Sequence, residues 1–238
     1  MTHRFHDTRW TLVSRSRGAD EQGRAALSEL CEAYYAPVVA YLRRTGRDED
    51  TSRELAHDFF AKLLAGGAIE SADPLRGRFR SYLLAALKHF ASNQWDRTQA
   101  AKRGGGLAHA SIHLEDAATG AGLQFADANV ELPDAAFDRQ WALTVLARGL
   151  TRLEGDMRDE GKATHFDVLK PWLTTEADAT PQTEAAAKLG MTAEAVRAAI
   201  HRLRKRFRDA VKAEIAQTVH EAGSVREELD ALMAALRK

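Results

Sequence analysis

Residues 183–208 read TEAAAKLGMTAEAVRAAIHRLRKRFR, and from Met191 to Lys212 seven cations stand against only Glu194 and Asp209. Guanidinium and ammonium groups at that density repel one another unless a polyanion neutralises them, so the chemistry they offer is phosphate binding. A second island runs from Arg76 to Arg103. There Arg76, Arg78, Arg80, Lys88, Arg97, Lys102 and Arg103 face one anion, Asp96. Between the islands, Gly104 to Glu160 carries ten acids and four arginines. The formal net charge of zero therefore hides two basic islands flanking an acidic bridge.

Residues able to break bonds are sparse by comparison. The pair His57-Asp58 would suit a metal-dependent phosphohydrolase only if further ligands converged on it from other helices. His165 and Asp167 are available, but they fall in a separate helical domain. The expectation is no enzyme: no catalytic residue, metal or cofactor, with His57 a polar surface residue. Cys31 is the only cysteine, which excludes an intramolecular disulfide and any CxxC motif, and it reads as a buried core residue.

The elements that must hold these groups are helical. ALSELCEAYYAPVVAYLRR, TSRELAHDFFAKLLAG and RFRSYLLAALKHFASNQWDRTQAAKR repeat apolar residues at three-to-four spacing without sustained alternation, so the expected class is all-α. The stretch RGGGLAHASIHLEDAATGAGLQFADANVELPD breaks that pattern and reads as a linker. Two small helical domains follow, at residues 24–103 and 134–220, with an N-terminal segment 1–23, an acidic flexible linker 104–133 and an amphipathic helix within 221–238. That last helix places Val225, Leu229, Leu232, Met233 and Leu236 on one stripe, which suits docking. With 238 residues and 45% hydrophobic content, both domains have material for a core. No run approaches the roughly 18 apolar residues of a membrane span, and the first residues lack a secretory signal, so a cytoplasmic protein without membrane insertion is expected.

Within the second domain, Thr180 before Pro181 marks a helix start, LGM supplies a tight turn, and Thr192 caps the next helix. Val196, Ile200, Leu203 and Phe207 fall on one face there, while Arg197, His201, Arg202, Arg204 and Arg208 fall elsewhere. This is helix-turn-helix spacing. Thr192, Glu194, Ala195, Arg197, Ala198, His201 and Arg202 could meet bases or phosphates, whereas Arg204, Lys205, Arg206 and Arg208 sit where backbone contact is expected. In the first island, Phe79, Leu83, Leu87 and Phe90 share a core face. Arg80, Lys88, His89, Asn93, Arg97, Lys102 and Arg103 are left for nucleic acid, and Trp95 is open between core packing and base stacking.

With these blocks in order, the chain resembles the extracytoplasmic-function (ECF) sigma factors of bacterial RNA polymerase, over roughly residues 24–103 and 134–215. LCEAYYAPVVAYLRR resembles the first conserved helix of that family and TSRELAHDFFAKLL its clamp-binding helix. GRFRSYLLAALKHFASNQWDRTQAAKRGGG resembles its minus-ten segment, and TEAAAKLGMTAEAVRAAIHRLRKRFR its minus-thirty-five reader. The resemblance implies a promoter-specificity subunit with two partners, promoter DNA and the clamp and flap of core RNA polymerase. It implies minus-thirty-five contacts from Thr192, Glu194, Ala195, Arg197, Ala198, His201, Arg202 and Arg204. It implies minus-ten contacts from Asp73, Arg76, Arg78, Arg80, Lys88, His89, Asn93, Trp95, Arg97, Lys102 and Arg103, with the loop around Asp73, Pro74 and Gly77 trapping a flipped base. Thr51, Glu54, His57, Asp58 and Lys62 would face the polymerase. The acidic linker either runs through the polymerase cleft or is a solubilising tether.

The sequence departs from the family at the clamp-binding helix, where Thr51 and Arg53 stand at positions that many members give to carboxylates. His89 and Asn93 replace a common Asn and Asp in the promoter-reading helix. Thr51 and Ser52 are candidate phosphosites, since a phosphate at a helix N-terminus would restore negative charge there. The competing reading makes Thr51 the N-cap and Glu54 its capping-box partner. An anti-sigma factor or a Ser/Thr kinase would be the regulatory partner. The rival function is a helix-turn-helix DNA-binding regulator with an α-helical sensor domain, which needs the second island and not the first.

Overall fold

The computed structural model describes residues 21–65, 78–102, 131–173, 182–217 and 224–237. Those residues form α1 (Glu21–Arg44), α2 (Glu49–Ala65), α3 (Phe79–Lys102), α4 (Pro133–Asp159), α5 (Ala163–Leu169), a 3₁₀ turn (Lys170–Leu173), α6 (Gln182–Leu189), α7 (Ala193–Ala216) and α8 (Ser224–Leu236). No strand occurs among them, and the all-α class is therefore established. No described helix is long and apolar enough to cross a membrane. The expected linker lies outside the described residues except at Glu131, Leu132 and Pro133, and so do Thr180 and Pro181.

The chain divides into two compact units, Met1–Ala142 with Gln217–Lys238, and Leu143–Ala216. The division falls inside α4. The first unit thus holds α1, α2, α3, the opening turns of α4, and α8; the second holds the rest of α4 through α7.

In the first unit, the three-to-four spacing read in the sequence becomes a buried face on each helix. Tyr34, Val38 and Leu42 of α1, Phe59 and Leu63 of α2, and Phe79, Leu83, Leu87 and Phe90 of α3 are all buried, as are Phe137 and Trp141 of α4. Aromatic edges join the layers: Tyr34 meets Phe79 at 5.4 Å between ring centroids, and Phe59 meets Phe90 at 5.5 Å. Each fully buried side chain of this size contributes roughly 1.5–3 kcal/mol relative to an exposed one. Cys31 departs from expectation by being only half-buried, at the rim of this core; burial, then the nearby Glu32 carboxylate, pushes its thiol pKa up.

Asp48, and not Thr51, caps α2. The Thr51 amide donates to Asp48 Oδ1 and the Thr51 hydroxyl donates to Oδ2, both at 2.8 Å, so Thr51 occupies the third helical position. These two bonds, backbone first, hold the Asp48 carboxyl below its usual range. An acid one turn earlier reaches the free amide, and the T-x-x-E spacing is not used as a cap.

The expected apolar stripe of α8 is likewise revised. Leu232 is buried and Val225, Leu229 and Leu236 are half-buried, but Met233 is 45% exposed. The most deeply buried residue of α8 is instead a carboxylate, Glu228.

The second unit closes around Leu153 and Met157 of α4, Phe166 and Leu169 of α5, Trp172, Ala185 of α6, and Val196, Ile200 and Leu203 of α7. Gly149 of α4 faces Val211 of α7; an added Cβ would lie 2.9 Å from Val211 Cγ2 and 3.3 Å from its backbone. A side chain there would force the helices apart.

Candidate nucleic-acid interface

The α6 to α7 connection is built by local rules. Gly190 takes φ +62°, a left-handed conformation costly for any residue with a Cβ, and ends α6. The Met191 amide then donates back to the Ala186 carbonyl at 2.9 Å. Thr192 Oγ1 accepts from the Ala195 amide at 3.1 Å, so the expected cap of α7 is present. Val196, Ile200 and Leu203 anchor α7 into the core, which turns the opposite side of the helix to water.

On that outer side Thr192, Glu194, Arg197, Ala198, His201, Arg202, Arg204, Lys205, Arg208 and Lys212 are exposed, and Ala195 is half-buried. At about 100° per residue, Arg197, His201, Lys205, Arg208 and Lys212 share an arc of roughly 80° along some 22 Å of helix. Among the described residues Arg197, Arg202, Lys205, Arg208 and Lys212 have no ion-pair partner. Two cations expected to touch phosphate serve the fold. Arg204 donates through Nε to the Trp172 carbonyl at 3.0 Å, tying α7 to the 3₁₀ turn. Arg206 forks onto Glu160 at 2.9 and 2.7 Å, with Lys162 adding a third bond at 2.9 Å. Those bonds, Arg206 first, pull the Glu160 carboxyl down to about 2.

The first island looks different once folded. Periodicity puts Arg80 on the nucleic-acid side of α3, yet it is only 9% exposed. Its Nε donates to Glu228 Oε1 at 3.0 Å, its Nη1 bonds Asp138 Oδ1, and its guanidinium lies 4.6 Å from the Trp141 ring centroid. Burial opposes its charge, but Glu228 and then Asp138 outweigh that and raise its pKa. The side chain leaves the α3 helix axis beside the core face, where α4 and α8 supply acids.

Neighbouring cations follow. Arg78 pairs with Glu228 at 2.8 Å and Glu227 at 2.9 Å, and Lys88 with Asp134 at 2.6 Å. Trp95, for which the sequence allows either core packing or stacking, is 59% exposed and so is no core residue. Arg97 is exposed without an ion-pair partner among the described residues, while His89 and Asn93 are half-buried. Asp73, Arg76 and Arg103 lie outside the described residues, and of Lys102 only the backbone, in α3, is described. Sequence reasoning misses the acids that hold Arg78, Arg80 and Lys88. Asp134 and Asp138 do stand four apart at the start of α4, a signal for one acidic face.

On α2, Glu54, His57 and Asp58 are exposed on neighbouring turns. His57 Nε2 lies 3.2 Å from the Tyr35 hydroxyl, and Lys62 is half-buried with its ammonium 4.9 Å from the Phe90 ring centroid. Ser52 is fully buried, which removes it as a phosphate acceptor in this fold, and Thr51 is half-buried against Asp48. A phosphate on Thr51 would lose the hydroxyl bond to Asp48 Oδ2 and place like charges together, so the α2 N-terminus does not welcome it. Among the described residues no group of three or more His, Cys, Asp or Glu side chains is placed to hold a metal ion. The chain matches no family model, no curated protein and no solved structure.

Proposed function

We propose that this protein is a promoter-specificity subunit of a bacterial RNA polymerase, resembling the ECF sigma factors, with α6, the Gly190 turn and α7 forming a helix-turn-helix that reads the minus-thirty-five element. The observation that carries the reading is the row of cations on the outer side of α7 that meet no carboxylate among the described residues, fixed in direction by the Thr192 cap and the buried Val196, Ile200 and Leu203. A free cation row of this length fits a run of phosphates, and Arg197 and Arg202 near its start suit base edges. The exposed Glu54 and Asp58 of α2 would face the polymerase clamp. Trp95 and Arg97 of α3 would serve the minus-ten strand, Trp95 by stacking. The two helical domains and the intervening acidic linker belong to the same proposal. The deciding experiment adds the purified chain to core polymerase and reads promoter-specific transcription. Initiation from defined start sites supports the reading, and absence of any complex with core polymerase overturns it.

A second reading has one observation in its favour. Arg78, Arg80 and Lys88 are neutralised by the chain's own carboxylates, as suits a DNA-binding regulator that does not use the first island. Such a protein would bind duplex DNA through α7 and would not bind core polymerase.

A further inference from the structure

At the C-terminal end of α1 the first unit holds a concave space of about 330 Å³, to which Arg43, Arg44 and Arg47 contribute from one side and Glu131 and Arg139 from the other. Glu131 braces it: Oε2 accepts from Arg44 Nη2 at 3.0 Å and Oε1 accepts from Arg139 Nε at 2.8 Å. Arg43 is held by Glu49 at 2.8 Å. Arg47 donates to the Thr45 hydroxyl and has no carboxylate within ion-pair distance among the described residues. Among the described residues these four guanidiniums thus have two carboxylates between them, one of which, Glu49, also holds Arg53 at 2.6 Å. Cations at a helix C-terminus are favoured by the helix dipole, but that supplies only about half a negative charge, so excess positive charge stays in the pocket.

The bracing leaves donors to spare. The Nη1 groups of Arg44 and Arg139 carry none of the bonds to Glu131, and each guanidinium has five N–H donors in a planar fork that matches phosphate oxygens. The volume sits at the lower end for ligand pockets, roughly 300–1,000 Å³. Among the described residues no aromatic side chain lines it, so they offer no ring against which a base could stack. We propose that this pocket binds a small phosphorylated ligand of the di- or triphosphate class, gripped by Arg43, Arg44, Arg47 and Arg139. The site is separate from α3 and α7 and does not depend on the function proposed above.

The test titrates pyrophosphate and tripolyphosphate into the full chain at constant ionic strength, with calorimetry for affinity and amide NMR for location. The expected result is one saturable site that shifts the amides of Arg43, Arg44, Arg47 and Arg139. Arg47→Gln should weaken it by about tenfold, the loss of one charge-assisted contact, without changing the ligand-free melting temperature. Should Arg47→Gln fail to fold, Arg43→Gln must produce the same loss. The proposal is overturned if no saturable binding occurs up to about 10 mM, or if sulfate binds as tightly. It also fails if the shifts fall on α7 alone, or if folded Arg47→Gln and Arg43→Gln bind like the parent protein. Perturbation of the pocket by a short oligonucleotide but not by pyrophosphate would overturn the small-ligand assignment in favour of backbone phosphate.

Discussion

Arg80 of α3 and Glu228 of α8 form an ion pair whose side chains are 10% and 1% exposed, so both charges are largely removed from water. Arg78 shares the same carboxylate, and Asp138 shares the same guanidinium. The C-terminal helix is thereby fastened to the helix that carries the first basic island.

Breaking such a pair from one side leaves a buried charge without its partner. Glu228→Ala should cost about 3–5 kcal/mol of stability, because Arg80 keeps only Asp138. Glu227→Ala, at a side chain 72% exposed, should cost at most about 1 kcal/mol. Denaturant unfolding of the two variants checks the contrast.

Removing the chain beyond residue 220 should uncover Arg78 and Arg80 for a polyanion. Under the proposed function, single-stranded DNA then binds more tightly, and the slope of log affinity against log salt steepens by about 0.7 for each additional phosphate neutralised. The double variant Glu227→Gln, Glu228→Gln should move affinity in the same direction. Fluorescence anisotropy over a salt series measures both; an unchanged slope would mean that these arginines stay committed to the fold.

Arg197 and Arg202 are exposed and make no ion pair among the described residues, so alanine at either should leave the melting temperature nearly unchanged. Duplex promoter affinity should fall by about 1–3 kcal/mol for each. Arg206→Ala predicts the reverse pattern, with stability reduced through Glu160 and smaller loss of DNA binding. Paired melting and binding measurements separate the two classes.

Asp48→Ala should lower the melting midpoint by removing the α2 cap, and Thr51→Asp should do so as well by setting a second carboxylate against Asp48. A phosphate-type switch at Thr51 predicts instead that Thr51→Asp tightens polymerase binding. Melting curves and core-polymerase affinity for both variants distinguish these outcomes.

Glu160 has a folded pKa of about 2 against an ordinary 4.5. A depressed carboxyl pKa contributes stability that is complete above the unfolded value, so the contribution should be lost as pH falls from about 4.5 toward about 2. Arg206→Gln should remove most of this dependence, which a pH series of unfolding measurements on wild type and variant would reveal.

The sequence by itself determined the all-α class, the apolar faces of α3 and α7, and the Thr192 cap, since these follow from periodicity and from hydrogen bonds spanning three or four residues. The α2 cap is equally local, but the T-x-x-E spacing pointed to Thr51, and Asp48, three residues earlier, takes the role instead. What only tertiary structure decided was the fate of the cations. Arg80 and Arg197 look alike in a string of letters, because charge excess along a chain says nothing about which acids return from distant positions. Glu228, 148 residues beyond Arg80, and Asp138, 58 beyond it, close over one island, while the α7 cations Arg197, Arg202, Lys205, Arg208 and Lys212 meet no described carboxylate. The reason is physical: a helix face is set by its own residues, but the partner of a long charged side chain is set by packing of elements remote in sequence.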